Sequence, residues 1–128
     1  MDLSKLRYTK SHEWADLQTD VCTVGITQFA VEQLTDVTYL ELPPVGKRLK
    51  AGDEFGVVES VKSTSALLAP VDGEVVDVNA EVLKDNALIN ADPYGKGWMI
   101  RIRVPAGTTL DHLLTAEQYA QQIASEGH

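Results

Sequence analysis

The chain has 128 residues and a formal net charge of -8, from 19 acidic and 11 basic side chains. A chain of this length typically folds as one domain around one core, and its 44% hydrophobic and 23% charged residues are ordinary for a globular protein. We expect no membrane insertion, because no apolar run reaches the roughly 20 residues that a spanning helix needs. We expect no nucleic-acid partner either, because an acidic surface repels phosphates and favours basic surfaces on other proteins.

The N-terminal residues contain no apolar run of signal-peptide length, and Cys22 is the only cysteine. A single cysteine excludes an internal disulfide and suits a reducing compartment, so we expect a cytoplasmic protein. Cys22 alternates with apolar residues, which favours a place in the core over a role as a nucleophile. The histidines lack a metal-binding spacing. We therefore expect neither a thiol enzyme nor a metal site.

Hydrophobic alternation predicts an all-β fold class with small helical additions. Residues 14–17 and 21–25 alternate on either side of a polar turn and predict a hairpin. Residues 27–34 have helical spacing, with Thr27 as a suitable N-cap. A strand over residues 37–42 ends at a Pro-Pro pair, because proline cannot donate to a sheet ladder.

The second half of the chain continues this pattern. Further strands are predicted at residues 54–59, 64–68, 73–78 and 98–104. Residues 79–97 are expected to be mostly loop. From residue 110 the spacing becomes helical, and Thr115 with Gln118 forms a capping box for a C-terminal helix that ends at about Ala124.

The stretch GVVESVKSTSALLAPVDGEVV, residues 56–76, places one lysine, Lys62, between two predicted strands. The segment SVKS has no glycine or asparagine, so we expect a type I turn, which tolerates most side chains and aims Lys62 outward. Lysine is a flexible four-carbon stem that ends in a primary amine, and this amine can be acylated to carry a cofactor. The alternative interpretation is an ordinary solvated surface lysine.

The neighbours of Lys62 favour a cofactor. Glu59 lies three residues before it and Gly73 eleven residues after it. This resembles the attachment hairpin of lipoyl-carrying proteins, in which an acid and a glycine flank the modified lysine on paired strands, and the glycine permits a tight turn. ESVK in particular resembles the H protein of the glycine cleavage system, whereas biotin carriers place their lysine between methionines.

Other segments carry the same resemblance in the family's order. They are YTKSHEW (residues 8–14), VGIT (24–27), DVTYLELPPVG (36–46) and DPYGKGWMIRI (92–102). The resemblance covers about residues 6–123. It implies a single lipoyl-carrier domain over residues 1–128, with a barrel-sandwich hybrid fold, a lipoyl-lysine on a hairpin tip and a C-terminal helix.

The resemblance also implies a function, that of a non-catalytic carrier. A lipoate on Lys62 would take the aminomethyl group of glycine from a pyridoxal-phosphate (PLP) glycine decarboxylase to a tetrahydrofolate-dependent aminomethyltransferase, and dihydrolipoamide dehydrogenase would reoxidise it. A lipoate ligase or octanoyltransferase would recognise Glu59 and Gly73. Glu13, in SHEW, matches a family position at which a carboxylate lies near the loaded arm; its alternative is a solvated turn residue. We expect a monomer.

Two positions depart from the family pattern. Ala66 stands where most relatives have an acid, which removes charge near the arm, and Asn86 stands where many relatives have a proline, which loosens a loop. Two further hypotheses stay open. One is an H-like protein that passes lipoyl groups to other lipoate-dependent complexes, and the other is an unmodified interaction domain in which Lys62 is only a surface charge.

Overall fold

The computed structural model describes residues 3–126. The strands are β1 (Arg7–Tyr8), β2 (Glu13–Gln18), β3 (Val21–Ile26), β4 (Val37–Glu41), β5 (Arg48–Leu49), β6 (Glu54–Ser60), β7 (Thr64–Leu68), β8 (Gly73–Val78) and β9 (Ile100–Arg103). The α-helices are α1 (Gln28–Leu34), α2 (Ala80–Lys84), α3 (Ala87–Ala91) and α4 (Ala116–Glu126), and a 3₁₀-helix covers Leu3–Lys5. The ends of the expected domain, residues 1–2 and 127–128, lie outside the described residues. Within residues 3–126, no helix is long and apolar enough to cross a membrane.

The strands form two antiparallel sheets. The larger sheet has the strand order β1-β2-β3-β9-β8-β5, and the smaller sheet has the order β4-β6-β7. β2 and β3 form the predicted hairpin, whose turn includes Thr19 with a φ of 60°. β6 and β7 form a second hairpin, and β7 is an edge strand of the smaller sheet. Lys62 lies at the tip of this second hairpin.

Both sheets bury side chains in one core. Val24 and Ile100 of the larger sheet lie in the same hydrophobic cluster as Val58 and Leu67 of the smaller sheet. Cys22 belongs to this cluster and has no exposed surface, so its predicted place in the core is confirmed. Burial raises the pKa of the Cys22 thiol to about 12, and a protonated thiol is a poor nucleophile.

A second cluster joins the start of the chain to its last helix. Leu6, Tyr8, Trp14 and Tyr119 are buried together there. The rings of Tyr8 and Tyr119 stack with centroids 4.6 Å apart and an angle of 7° between their planes. The Trp14 indole donates to the Pro93 carbonyl oxygen at 3.0 Å. α4 is therefore held against β1 and β2 by aromatic packing.

Two short helices occupy a region that was predicted to be mostly loop. α2 and α3 have five residues each, which is too short for a helical period to show in the sequence. Asn79 caps α2 by accepting from Glu81 N at 3.1 Å. Asn86, just before α3, donates to the Val82 carbonyl oxygen at 2.6 Å. Asn86 therefore fastens this loop through a side-chain amide that proline lacks.

Both predicted helix caps are confirmed. Thr27 Oγ1 accepts from Ala30 N at 3.2 Å at the start of α1. Thr115 N donates to the Gln118 side chain at 2.9 Å, and Gln118 N donates to Thr115 Oγ1 at 3.2 Å. This reciprocal pair is the capping box that starts α4.

The segment before α4 differs from the prediction. Residues 110–114 have helical spacing in the sequence, but the structure has a turn at residues 111–112 and an isolated β-bridge at Leu114. Leu114 exchanges two backbone hydrogen bonds with Tyr8, of 2.8 and 2.9 Å, and this pairing draws the backbone away from a helix. The strand predicted from residue 98 also begins later, at Ile100.

Candidate functional site

The tip of the β6–β7 hairpin is tied by a serine side chain. Ser60 Oγ accepts from Lys62 N at 3.2 Å and from Ser63 N at 3.1 Å. Ser60 N donates to the Ser63 carbonyl oxygen at 2.8 Å. Among the described non-glycine residues only His12, Thr19 and Thr35 have positive φ, so the turn is not of the glycine-requiring I′ or II′ type. The hydrogen bonds of Ser60 therefore hold this turn, which contains no glycine or asparagine.

Lys62 points away from the protein. It is exposed, and the preceding Val61 is 76% exposed. Within residues 3–126, no ion pair or hydrogen bond engages the Lys62 amine. The amine is therefore accessible to a modifying enzyme.

Glu59 lies beside the turn, on β6. It is paired across the hairpin with Thr64 of β7, whose hydroxyl donates to the Glu59 carboxylate at 3.4 Å. Glu59 is half-buried and stands three positions before Lys62 on the strand that enters the turn. A partner that approaches Lys62 along the hairpin would meet Glu59 on the same two strands.

Gly73 does not lie on the strand paired with that of Glu59, which corrects the expected arrangement. β7 ends at Leu68, and the chain then crosses to the larger sheet, where Gly73 is paired with Leu49. A Cβ at Gly73 would lie within 3.0 Å of both Arg103 O and Ile102 Cγ2, a spacing that real Cβ atoms essentially never show. Close approach to β9 and a φ of 157° together favour glycine here, and a tight turn does not require it.

A cleft of about 130 Å³ adjoins the hairpin. Three groups of residues line it. β7 and the turn before it supply Ser63, Ser65, Ala66 and Leu67, the start of β2 and its loop supply Ser11, His12 and Glu13, and the rest is formed by Ile26, Ala30, Gln33, Leu34 and Val58. Ala66 thus faces the same space as Glu13. Ser63 places the mouth of the cleft next to Lys62.

Glu13 is a buried carboxylate in this cleft, with 1% of its surface exposed. Its Oε1 accepts from the hydroxyls of Thr9 and Ser11. Its Oε2 accepts from Leu68 N at 3.2 Å, so the carboxylate bridges the loop before β2 to the edge of β7. Burial raises the pKa of the Glu13 carboxyl, and the hydrogen bonds from Ser11, Thr9 and Leu68 oppose this rise. The alternative of a solvated turn residue is wrong for Glu13.

This raised pKa predicts a pH dependence of stability. Between the ordinary value of 4.5 and the higher folded value, the folded protein holds a proton at Glu13 that the unfolded chain has lost. The free energy of unfolding from this group therefore falls as pH rises, by about 1.4 kcal/mol per pH unit between the two pKa values. A Glu13→Gln variant lacks this dependence because a carboxamide does not titrate. Ser11 and Thr9 can turn their hydroxyls to accept from the amide, so the site can hold glutamine.

Urea denaturation of both proteins from pH 4 to pH 8 measures this effect. We expect the unfolding free energy of the wild type minus that of Glu13→Gln to decrease with pH and then level off. Taking this difference cancels the pH-dependent contributions of the other carboxylates, which both proteins share. A difference that stayed flat, or that rose with pH, would contradict a raised pKa at Glu13.

Sequence reasoning singled out Lys62, Glu59 and Glu13 but did not identify most of the residues that line the cleft. Ser11 and His12 stand inside the quoted motif SHEW, yet nothing in that motif indicates that they face the lysine hairpin. Gln33 and Ala30 look like ordinary residues of α1. Within the described part of the chain, no three or more His, Cys, Asp or Glu side chains are grouped so that they could hold a metal ion.

Comparisons with known proteins agree on one family. The family model described as "Glycine cleavage H-protein" matches residues 6–126. A glycine cleavage system H protein of Carboxydothermus hydrogenoformans is 48% identical over 122 residues, covering 95% of this chain and 94% of that one. One from Thermobifida fusca is 49% identical over 124 residues, covering 97% of both chains.

A solved structure agrees as well. The crystal structure of a glycine cleavage system H protein from Mycobacterium marinum superposes with a TM-score of 0.84 at 37% identity, covering 98% of both chains. This likeness confirms the predicted fold class, an all-β barrel-sandwich hybrid with small helical additions.

Proposed function

The chain belongs to the glycine cleavage H-protein family, and from this premise we propose that it carries the aminomethyl group of glycine on a lipoyl group attached to Lys62. Membership supports a role in the glycine cleavage system and is consistent with a subunit that carries lipoate. The observation that carries the finer proposal is the position of Lys62, exposed on a tied turn, next to a cleft that contains a buried carboxylate.

The residues around Lys62 fit a lipoyl group. When bound as an amide to the Lys62 amine, lipoate supplies a disulfide that accepts the aminomethyl group. Ile26, Leu34 and Val58 give the cleft apolar walls that suit a hydrocarbon arm. Ser63 and Ser65 lie between Lys62 and the interior of the cleft, so they line the path along the edge of β7.

Glu13 is the group that we propose contacts the cargo. A carboxylate with 1% exposure has lost most of its hydration, and none of the ion pairs in residues 3–126 includes Glu13. A cationic amine in the cleft would offset the energetic cost of this desolvation and favour the ionised carboxylate. In return the carboxylate would hold the amine in its charged form while the cleft excludes water, which slows loss of ammonia.

Four enzymes are the proposed partners. They are the PLP-dependent glycine decarboxylase, the tetrahydrofolate-dependent aminomethyltransferase, dihydrolipoamide dehydrogenase, and the lipoate ligase or octanoyltransferase. We propose that the ligase or octanoyltransferase recognises Glu59 beside the turn. Recognition of Gly73 by the same enzyme stays a prediction. The tether gives each docked enzyme a high effective concentration of the arm, so weak docking suffices.

We also propose that the protein is a cytoplasmic monomer without catalytic activity of its own.

Intact mass of the protein purified from its native host tests the modification, followed by peptide mapping across residues 59–68. We expect the mass increment of one lipoyl group on Lys62. Reconstitution with the decarboxylase, the aminomethyltransferase and the dehydrogenase then tests the cargo, and we expect glycine-dependent release of carbon dioxide. An unmodified Lys62, in cells whose other lipoyl proteins are modified, would overturn the proposal.

Ala66 favours one alternative function. Ala66 lines the cleft at a position where the family resemblance leads us to expect an acid, so this chain would offer the amine one carboxylate fewer. A protein that relays lipoyl groups to other lipoate-dependent complexes would not need that second acid. A lipoylated Lys62 combined with no glycine-dependent release of carbon dioxide, and with transfer of the lipoyl group to a second carrier, would favour the relay.

A further inference from the structure

The C-terminal helix contacts the loop that carries Glu13. Tyr119, Gln122 and Glu126 lie at helical spacing on α4 and reach the segment of residues 9–13, here called the Glu13 loop. Gln122 donates to the Lys10 carbonyl oxygen at 3.0 Å. Glu126 lies 3.3 Å from His12 Nε2.

Tyr119 is the most buried of these contacts, with 5% exposure. Its hydroxyl lies 2.8 Å from His12 Nδ1 and 2.7 Å from Thr27 Oγ1. Thr27 accepts from Ala30 N through the same oxygen, so Thr27 can donate to Tyr119 and Tyr119 can donate to His12. This chain of hydrogen bonds links the start of α1, α4 and the Glu13 loop.

His12 holds a backbone conformation that needs such support. Its φ of 76° lies in the left-handed region, which is uncommon for residues other than glycine. Its carbonyl oxygen accepts from Thr27 N at 3.0 Å. Since Glu13 follows His12 directly, the conformation of His12 sets the direction in which the Glu13 side chain enters the cleft.

We propose that Tyr119 is a positioning residue for the arm: through His12 it holds the Glu13 loop against the edge of β7, so that α4 keeps one wall of the cleft in place. The placement of the loop is a property of the unmodified chain. The consequence for the loaded arm rests on the proposed function.

A Tyr119→Phe variant tests the placement, because it removes the hydroxyl but keeps the ring that stacks on Tyr8. The probe is hydrogen exchange of the Leu68 amide, which donates to Glu13 Oε2. We expect this amide to exchange about five- to tenfold faster in the variant, the factor expected from loss of one hydrogen bond. His12→Asn is a second variant with the same expected effect, since asparagine tolerates positive φ.

Tyr8→Phe is the matched control. It removes the other hydroxyl of the same aromatic stack, one that donates to the Leu3 carbonyl oxygen at 2.7 Å. We expect Leu68 exchange in Tyr8→Phe to match the wild type once the global stabilities are compared by thermal unfolding. Equal exchange at Leu68 in Tyr119→Phe and Tyr8→Phe would overturn the proposal.

The lifetime of the loaded arm is the second readout. In lipoylated protein charged by the decarboxylase, we expect ammonia release to be about five- to tenfold faster in Tyr119→Phe, with unchanged lipoylation of Lys62. If Leu68 exchanged fast but the lifetime of the loaded arm were unaltered, the proposal that Tyr119 helps to protect the arm would be overturned. Failure of the wild type to become lipoylated would overturn the proposed function, while the exchange data would still decide whether Tyr119 places the loop.

Discussion

We expect replacement of Lys62 by arginine to abolish the proposed lipoylation and all transfer that depends on the arm, while the fold stays intact. A guanidinium is always protonated in proteins and offers no free amine to acylate. Lys62 is exposed, and without contacts to lose, the unfolding free energy should change by less than about 0.5 kcal/mol. Intact mass and glycine-dependent release of carbon dioxide measure the loss, and thermal unfolding measures the stability.

Lys50→Arg is the matched control for this variant, since Lys50 is also an exposed lysine and lies outside the hairpin. We expect full lipoylation and full transfer activity in Lys50→Arg. A Lys62→Arg protein that still acquired a lipoyl group, or that still supported glycine cleavage, would place the attachment at another residue and leave Lys62 as a surface charge.

Replacing Gly73 by alanine costs about 3 kcal/mol of stability, at the upper end of the usual penalty for overpacking. The added methyl group would overlap Arg103 O and Ile102 Cγ2. Both atoms belong to β9, which is paired on its other side with β3, so β9 cannot retreat without disturbing the larger sheet. Urea denaturation of the unmodified variant measures the loss.

A Gly46→Ala variant separates the cost of this steric clash from the cost of forcing alanine into a positive φ. Gly46 has a φ of 97° and no heavy atom within 4 Å of an added Cβ, so its replacement should cost only about 1–2 kcal/mol. If Gly73 serves only the close approach to β9, the folded fraction of Gly73→Ala is lipoylated at the wild-type rate. A variant that is stable but poorly lipoylated would instead show that Gly73 is read by the modifying enzyme.

The parts of the fold that follow from local chemistry were predictable. The caps at Thr27 and Thr115 and the lysine turn depend on residues within a few positions of one another. The helices α2 and α3 were missed because five residues cannot display a helical period, and the two-residue strands β1 and β5 are too short to alternate.

The candidate site was predictable only where its residues lie close together in the sequence. The spacing of Glu59 and Lys62 is fixed within one hairpin, so a sequence motif can report it. The contact of His12 with Tyr119 joins residues 107 positions apart, and a pair of this kind leaves no trace in periodicity. Gly73 was assigned to the wrong strand pair for the same reason, since a glycine in a sequence does not reveal which distant carbonyl oxygen approaches it.

The serine tie at the hairpin tip has a mechanical consequence for the carrier. Because Ser60 fixes the backbone on both sides of Lys62, the swing of the arm originates in the rotatable bonds of the side chain, and its pivot is the Cα atom of one residue. The volume that the arm can sweep is then centred on a point that is fixed relative to the body of the protein. A partner that takes up the proposed arm would need an entrance wide enough for the two turn residues, and the exposed Val61 would present an apolar side chain to its rim.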